Sequence, residues 1–570
     1  MTSFRLTTEP WILCQGADGA SAHLSMRDVF DGEHPVVGLR GDSPTQDYAV
    51  LRVLLTVFLR AHAAALDREP VQAVDFVDWW EREWEDATSD SPDEVVLEYL
   101  DDHAERFDLL HPLTPFMQVA NLRTAKDSRL PVSRIIPEAE GDLFTMRTGE
   151  ARTTIPFAEA ARWLIHTHAY DYSGIKPGAV GDPRVKGGKG YPIGQGWTGL
   201  TGGTTILGRS LRETVLLNAT EAGVFGGTQD RAAWEREPDG PCQRALPEPA
   251  GVADLLTWQS RRVKLFHDGE RVTEVLVSNG DPVPRAGANI FTDPMTPYRF
   301  STNKSTKQQT VYYPRPYDTS RMMWRSLEPL ICLEGDHPST GSLALRKGEH
   351  APKRPSTLDQ IAELRELQLA SAYEVMNIRL TSASYGSQAS STSATVDARV
   401  DVPRALLHPD NAYARLNVIA AARLTNDAAI CIGQFAGDLL QAAGGEYAFQ
   451  IEPTDGLLSE LEPRFRAWLR GVDAAASDAA IRQWQQTVRS EVLERAQILL
   501  RGAGPRALIG REVIENDRTV LHSAGTAHLQ LLKRLKRALP SAHPGEAETP
   551  GEPGTATEKT IENKETSDVA

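Results

Sequence analysis

Cysteine is scarce in this chain of 570 residues: there are four, Cys14, Cys242, Cys332 and Cys431, far apart and without a CxxC pair. That spacing excludes a disulfide framework and a four-cysteine zinc site, and reads as reduced, mostly buried thiols. The common catalytic signatures are missing too. There is no GxSxG elbow, no HExxH, and no GK[ST] closing a phosphate loop. No uncharged apolar run approaches the roughly 18 residues of a membrane span. The opening MTSFRLTTEPWILCQG lacks the basic start and long apolar core of a secretory signal. These absences predict a cytoplasmic protein with no membrane partner. Positive charge is in deficit: 61 Lys and Arg against 77 Asp and Glu give a formal net charge of −16. Such a chain does not coat nucleic acid by itself, so any phosphate contact must be local or shared with basic partners.

Against that background one stretch stands out. Residues 174–203, GIKPGAVGDPRVKGGKGYPIGQGWTGLTGG, hold eleven glycines, four Lys or Arg and one acid. Glycine lets a backbone approach another molecule closely, and the cations among them (Arg184, Lys186 and Lys189 above all) are candidate phosphate contacts. A flexible connection is the competing reading. Gly194, Gly196 and Gly199 spell G-x-G-x-x-G, but no strand leads in and no helix opens within it, which argues against a dinucleotide fingerprint.

The remaining pattern divides the chain. Phe4–Leu6 and Trp11–Leu13 read as short strands. Ser43, Pro44 and Gln46 form a helix start, and the helix runs to about Leu66. A second capped helix follows Ser210, and a third spans Leu358–Leu380. Nine of the twenty residues 381–400 are Ser or Thr, which reads as a loop or linker. From Pro403 amphipathic helices dominate: a stripe from Leu416 to Leu439, then Pro463–Val472, Ile481–Leu499 and Leu532–Leu539. The expected fold is α+β: a mixed α/β domain over 1–402, an all-α four-helix bundle over 403–540, and a disordered acidic tail over 541–570. Basic residues crowd the bundle, among them Arg464, Arg466, Arg470, Arg495 and Arg534, as a solvated salt-bridged face or a surface for an anion. His166, His168 and Asp171, in HTHAYDY, offer two imidazoles on one side of a strand. They carry the alternative function, a metal-dependent enzyme acting on nucleotides or nucleic acid; a packing role is the competing reading.

FRLTTEPWI, LSMRDVF, GDSPTQDYAVLRVLL, HPLTPFMQ, the glycine-rich loop and GRSLRETVLLN occur here in that order. In this ordered set the chain resembles the CasA family, the large subunit of the type I-E CRISPR surveillance complex Cascade, most clearly over residues 1–220. The resemblance implies a non-enzymatic subunit that works with the other Cascade subunits and guide RNA. It implies recognition of the protospacer-adjacent motif (PAM) of target double-stranded DNA from the minor groove, help in opening the duplex, and recruitment of a helicase–nuclease. The family's glycine loop falls on Gly194 and Gly196. Its lysine finger falls on Lys304, with Lys307 and Arg299 as alternatives, and its wedge on Gln388 and Ala389. Some members carry a cysteine cluster between the first two elements; here only Cys242 lies there, so neither zinc nor another cofactor is expected.

Overall fold

The computed structural model describes residues 2–68, 75–89, 91–139, 145–245, 247–317, 322–337, 344–364, 373–472, 478–515 and 518–542. Strand β1 (Ile12–Gly16) pairs antiparallel with β2 (Ser21–Leu24) on one side and β3 (Val36–Leu39) on the other. Phe4–Leu6 is not a strand: Arg5 makes one isolated bridge to Asp108, and the chain then turns back on the Arg5 carbonyl.

Helix α1 (Pro44–Arg68) begins at the expected place. Ser43 Oγ accepts from the Gln46 N–H at 3.2 Å, while Gln46 Oε1 accepts from the Asp42 N–H at 3.0 Å, one residue earlier than a capping box requires. By length and composition α1 qualifies as a membrane span, contrary to the sequence reading, but 83% of that window is buried within the protein. Its most deeply buried charge, Arg52, is neutralised by buried Asp293 at 2.7 Å. Leu54, Leu55, Val57 and Leu59 are fully buried or nearly so, each contributing about 1.5–3 kcal/mol of burial. Around α1 lie α2 (Phe76–Thr88), α3 (Glu94–Asp102) and α4 (Phe157–Tyr170).

Beyond α4, β4 (Gly203–Leu207) joins a later hairpin, and β5 (Arg261–His267) pairs with β6 (Arg271–Asn279). Short strands β7 (Tyr298–Phe300) and β8 (Tyr312–Pro314) flank a projecting loop. The largest departure from expectation follows. Residues 381–400 are not a linker: they belong to β9 (Val375–Tyr385) and β10 (Thr392–Pro403), paired from Val375–Pro403 to Tyr385–Thr392, with β4 on the far edge of β9. Threonine suits a pleated strand, and Met376, Ile378, Leu380, Val396, Val400 and Val402 supply the buried alternation. The helix expected over Leu358–Leu380 is accordingly short, Ser356–Glu363; part of the remainder lies outside the described residues and Val375–Leu380 is strand.

The C-terminal region is helical: α5 (Ala412–Ala442), α6 (Ile451–Arg470), α7 (Asp478–Gly502) and α8 (Ala524–Ala538). Pro463 lies inside α6 rather than at its start, because Leu458, Leu461, Phe465 and Leu469 keep a buried stripe running through it. An unexpected hairpin, β11 (Arg511–Glu515) with β12 (Arg518–His522), separates α7 from α8. The described residues form two compact units, one from 1–423 with 458–477 and one from 424–457 with 478–570. The division falls inside α5 and α6, not at residue 402. Within the second unit, Trp484 donates to Thr425 and Arg534 pairs with Asp438 at 2.6 Å. Residues 543–570, most of the acidic tail, lie outside the described residues.

Candidate nucleic-acid interface

The glycine-rich segment is held from beneath by one carboxylate. Asp171, at the C-terminal cap of α4, receives Arg261 Nε at 2.5 Å, Arg134 Nη2 at 2.7 Å and Lys176 Nζ at 3.0 Å. Burial alone raises an Asp, yet these three cations outweigh it and hold the carboxyl well below the ordinary range. Burial also lowers Lys176 to about 8, with Asp171 opposing. Arg134 and Lys176 lie over the Tyr172 ring at 4.7 and 4.0 Å. Arg261 Nη2 then reaches the loop, donating to the carbonyls of Asp171, Tyr172 and Gly194 at 3.0, 2.9 and 2.8 Å.

The two glycines assigned to the PAM differ. Gly194 is half-buried with φ +93°, and a Cβ there would meet nothing within 4 Å. Gly196 is buried, and a Cβ there would sit 2.2 Å from the Ala169 carbonyl oxygen at the end of α4. The half-exposed stretch ending at Gln195 is therefore the surface of this loop, and Gly196 is the point where it is pressed onto α4. Trp197 anchors the next residue, donating to Asp293 at 2.7 Å.

Gln388 and Ala389 lie in the turn that closes β9 and β10. Both have left-handed backbone angles, φ +56° and +52°, although neither is glycine. The turn is tied by Gly386 N–H to the Ser391 carbonyl at 2.9 Å and by Ala389 N–H to the Gly386 carbonyl at 2.9 Å. Gln388 is exposed. A left-handed conformation costs a non-glycine residue about 1–2 kcal/mol, and such strain gathers at functional turns. Beside the turn lies a cleft of about 350 Å³, lined by Ser390, Ser391 and Thr392 on one side and by Arg134, His166, Tyr170, Asp171 and Tyr172 on the other. The Tyr170 hydroxyl is buried there without a hydrogen-bond partner among the described residues. Tyr385, the last residue of β9, donates to the Tyr170 carbonyl at 2.7 Å, so the turn and the glycine segment both rest on the end of α4.

Lys304 and Lys307 are exposed in the loop between β7 and β8, where Ser305 N–H and Lys304 N–H bond the Ser301 carbonyl at 3.0 and 3.3 Å. Arg299 lies on β7 with its guanidinium 5.6 Å from the Tyr313 ring centre. The base of this hairpin meets the glycine segment: a Cβ on Gly202 would lie 2.6 Å from the Arg315 carbonyl oxygen. Lys186 and Lys189 face solvent on a tight turn whose ends exchange backbone hydrogen bonds at 3.0 and 3.1 Å. Arg184 is corrected. Its guanidinium is engaged by Asp182, Gln243 and the carbonyls of Asn279 and Gly280, so it is a structural clip with no donor left for phosphate.

The histidine reading also fails. HTHAY is the last turn of α4, not a strand, and positions two apart on a helix face different ways. His166 Nε2 bonds Thr45 Oγ1 at 3.1 Å and His168 Nε2 bonds the Met117 carbonyl at 2.8 Å. Burial lowers both to about 4, so they are neutral packing groups near pH 7. Asp171 is committed to its cations. Several of the C-terminal basic residues are engaged as well: Arg466 with Glu462 and the Arg399 carbonyl, Arg470 with Asp401. What the sequence reading missed is the scaffold, Arg134, Arg261 and Tyr385; Lys176, counted there among the loop's candidate phosphate contacts, is buried on Asp171 instead. The adjacent Arg261 and Arg262 opening an apolar strand were the available signal, since charges so placed need buried partners.

Comparison with known proteins follows the same lines. The family model of the CRISPR-associated protein Cse1 matches residues 6–495. A CRISPR-associated protein CasA/Cse1 of Thermus thermophilus is 28% identical over 282 residues, 48% of this chain and 51% of that protein; the match thus spans about half the length of that relative. The crystal structure of Thermobifida fusca Cse1 superposes with a TM-score of 0.80 at 34% identity, covering 95% of this chain and 99% of that one. Cse1 from Acidimicrobium ferrooxidans gives 0.74 at 26%, covering 95% and 98%. A chain of a CRISPR RNA-guided surveillance complex shares the fold, with a TM-score of 0.61 at 21% identity, over 88% of this chain and 100% of that one.

Proposed function

The chain belongs to the CRISPR-associated Cse1 (CasA) family, and from that premise we propose that it is the non-catalytic large subunit of an RNA-guided surveillance complex, where it checks the PAM of foreign duplex DNA. In this reading the surface around Gly194 enters the minor groove, whose hydrogen-bonding code is degenerate and tolerates more than one motif. Lys304 or Lys307 reaches the same groove. Gln388 and Ala389 enter beside the motif and part the first base pair, at a cost of roughly a few kcal/mol of stacking that new contacts offset. Base pairing with the guide RNA then reads the rest of the target, and a helicase–nuclease is recruited to the opened duplex.

The observation that carries the reading is the exposed, strained turn at Gln388–Ala389, rooted on the same helix end as the glycine segment. Two non-glycine residues held with left-handed backbone angles at the turn suit a rigid wedge better than a passive loop. Engagement of His166, His168 and Asp171 in the scaffold removes the group on which the metalloenzyme alternative stood. The test uses the chain assembled with its guide-RNA complex and duplexes carrying permissive or non-permissive motifs. Lys304→Ala and Lys307→Ala are measured separately: the residue in the groove loses discrimination between the duplexes, by about 10-fold or more, and the other does not. Equal discrimination in both variants and the wild type sinks the lysine assignment.

A further inference from the structure

Away from this interface, three side chains from three helices converge on one point. His62 lies on α1, Glu83 on α2, and Asp93 is the N-cap of α3. One donor atom from each lies within 4.8 Å of the other two. His62 Nε2 is 3.3 Å from Asp93 Oδ2 and 3.5 Å from Glu83 Oε2. We propose that His62, Glu83 and Asp93 form a binding site for a divalent cation of the zinc class, with a fourth position open to water.

Both separations exceed the roughly 2.7–2.9 Å of a charge-assisted N–H···O bond, with the His62–Asp93 pair at 3.3 Å still within hydrogen-bond reach. Donors about 2.0–2.1 Å from a tetrahedral ion stand about 3.3–3.4 Å from one another, close to both observed separations. Imidazole with two carboxylates is also a donor set this class of ion accepts.

The ligands are oriented from outside, as metal ligands usually are. Asp93 Oδ1 accepts from the Val96 N–H at 3.0 Å, which leaves Oδ2 turned toward His62. The His62 ring is held against Phe58 and Trp79, at 4.4 and 5.4 Å between centres. His62 and Asp93 are buried, whereas the Glu83 side chain keeps 18% of its surface in solvent and gives an ion its way in. Arg212, on the adjoining segment, donates through Nη1 to the Ser91 carbonyl. A divalent ion would neutralise both carboxylates with His62 neutral, and pin α1, α2 and α3 together. The trio Asp28, Asp31 and His34, half-buried apart from exposed His34, also gathers within 4.8 Å and serves as the control.

The test uses the full chain without a histidine tag, stripped with chelator, loaded with Zn2+ and passed through a desalting column before elemental analysis. Wild type and His34→Gln are expected to retain one equivalent. Glu83→Gln, chosen because Glu83 is partly exposed and its loss spares the core, is expected to retain less than about a tenth of that, with an unchanged circular dichroism spectrum. Co2+ loading is expected to give the visible bands of a tetrahedral site in wild type and His34→Gln, absent in Glu83→Gln. Equal metal content and equal spectra in wild type and Glu83→Gln overturn the proposal, whether both bind or neither does.

Discussion

Gly194 and Gly196 stand two residues apart and answer different demands. Gly196 leaves no room for a methyl group against Ala169, so Gly196→Ala forces the loop off α4 and is expected to destabilise the protein by several kcal/mol. Gly194 has the room but a positive φ, so Gly194→Ala costs about 1 kcal/mol in stability and shows its main effect in DNA binding. Thermal unfolding of the two variants separates these roles. His166 and His168 set a pH limit at the same scale. Burial holds both near 4, whereas an unfolded histidine titrates near 6.5. Between those values the unfolded chain takes up protons that the folded chain refuses, so stability falls as pH drops through that window and is insensitive to these groups above it. The expected loss is about 2 kcal/mol per histidine on going from pH 7.5 to pH 5, read from urea midpoints; replacing either histidine with Asn reduces it.

At the scale of elements the hairpin β9–β10 is the informative one. Its turn places Gln and Ala where Asn and Gly are at ease. Gln388→Asn with Ala389→Gly is therefore expected to raise stability by about 1 kcal/mol and to lower duplex opening, as measured by thermal unfolding and a strand-separation assay on the same sample. A rise in both would assign the strain no part in the wedge. This hairpin also shows where the sequence was legible and where it was not. The wedge was assigned to Gln388 and Ala389 by resemblance, and the strands around them were read as a linker, because Ser and Thr are counted as turn formers while their fitness for a pleated strand depends on which partner strand is alongside. The start of α1 was legible because its cap is local. The Asp171 cluster was not, because Arg134, Lys176 and Arg261 come together only through the tertiary fold. HTHAYDY was misread because its two histidines at positions i and i+2 suit one face of a strand, whereas the segment closes a helix whose apolar stripe lies upstream.

At the scale of the molecule, a net charge of −16 sets the long-range field against DNA, so binding depends on where the cations are exposed. Lys186 and Lys189 sit on a solvent-facing turn, unlike Arg184. In the assembled complex, Lys186→Ala with Lys189→Ala is expected to weaken binding to permissive and non-permissive duplexes alike and to flatten the slope of log affinity against log salt by up to about 2. A change confined to permissive duplexes would place these lysines at the motif instead of the backbone. The central claim is that this chain parts the duplex beside the motif with the Gln388–Ala389 turn. The most direct measurement is the fluorescence of a base analogue at the first target pair next to a permissive motif, followed as the assembled complex binds. The account predicts prompt unstacking with wild type, and with Gln388→Ala a complex that still binds the permissive duplex but unstacks the reporter at least about 10-fold more slowly. Unchanged unstacking with Gln388→Ala would contradict it.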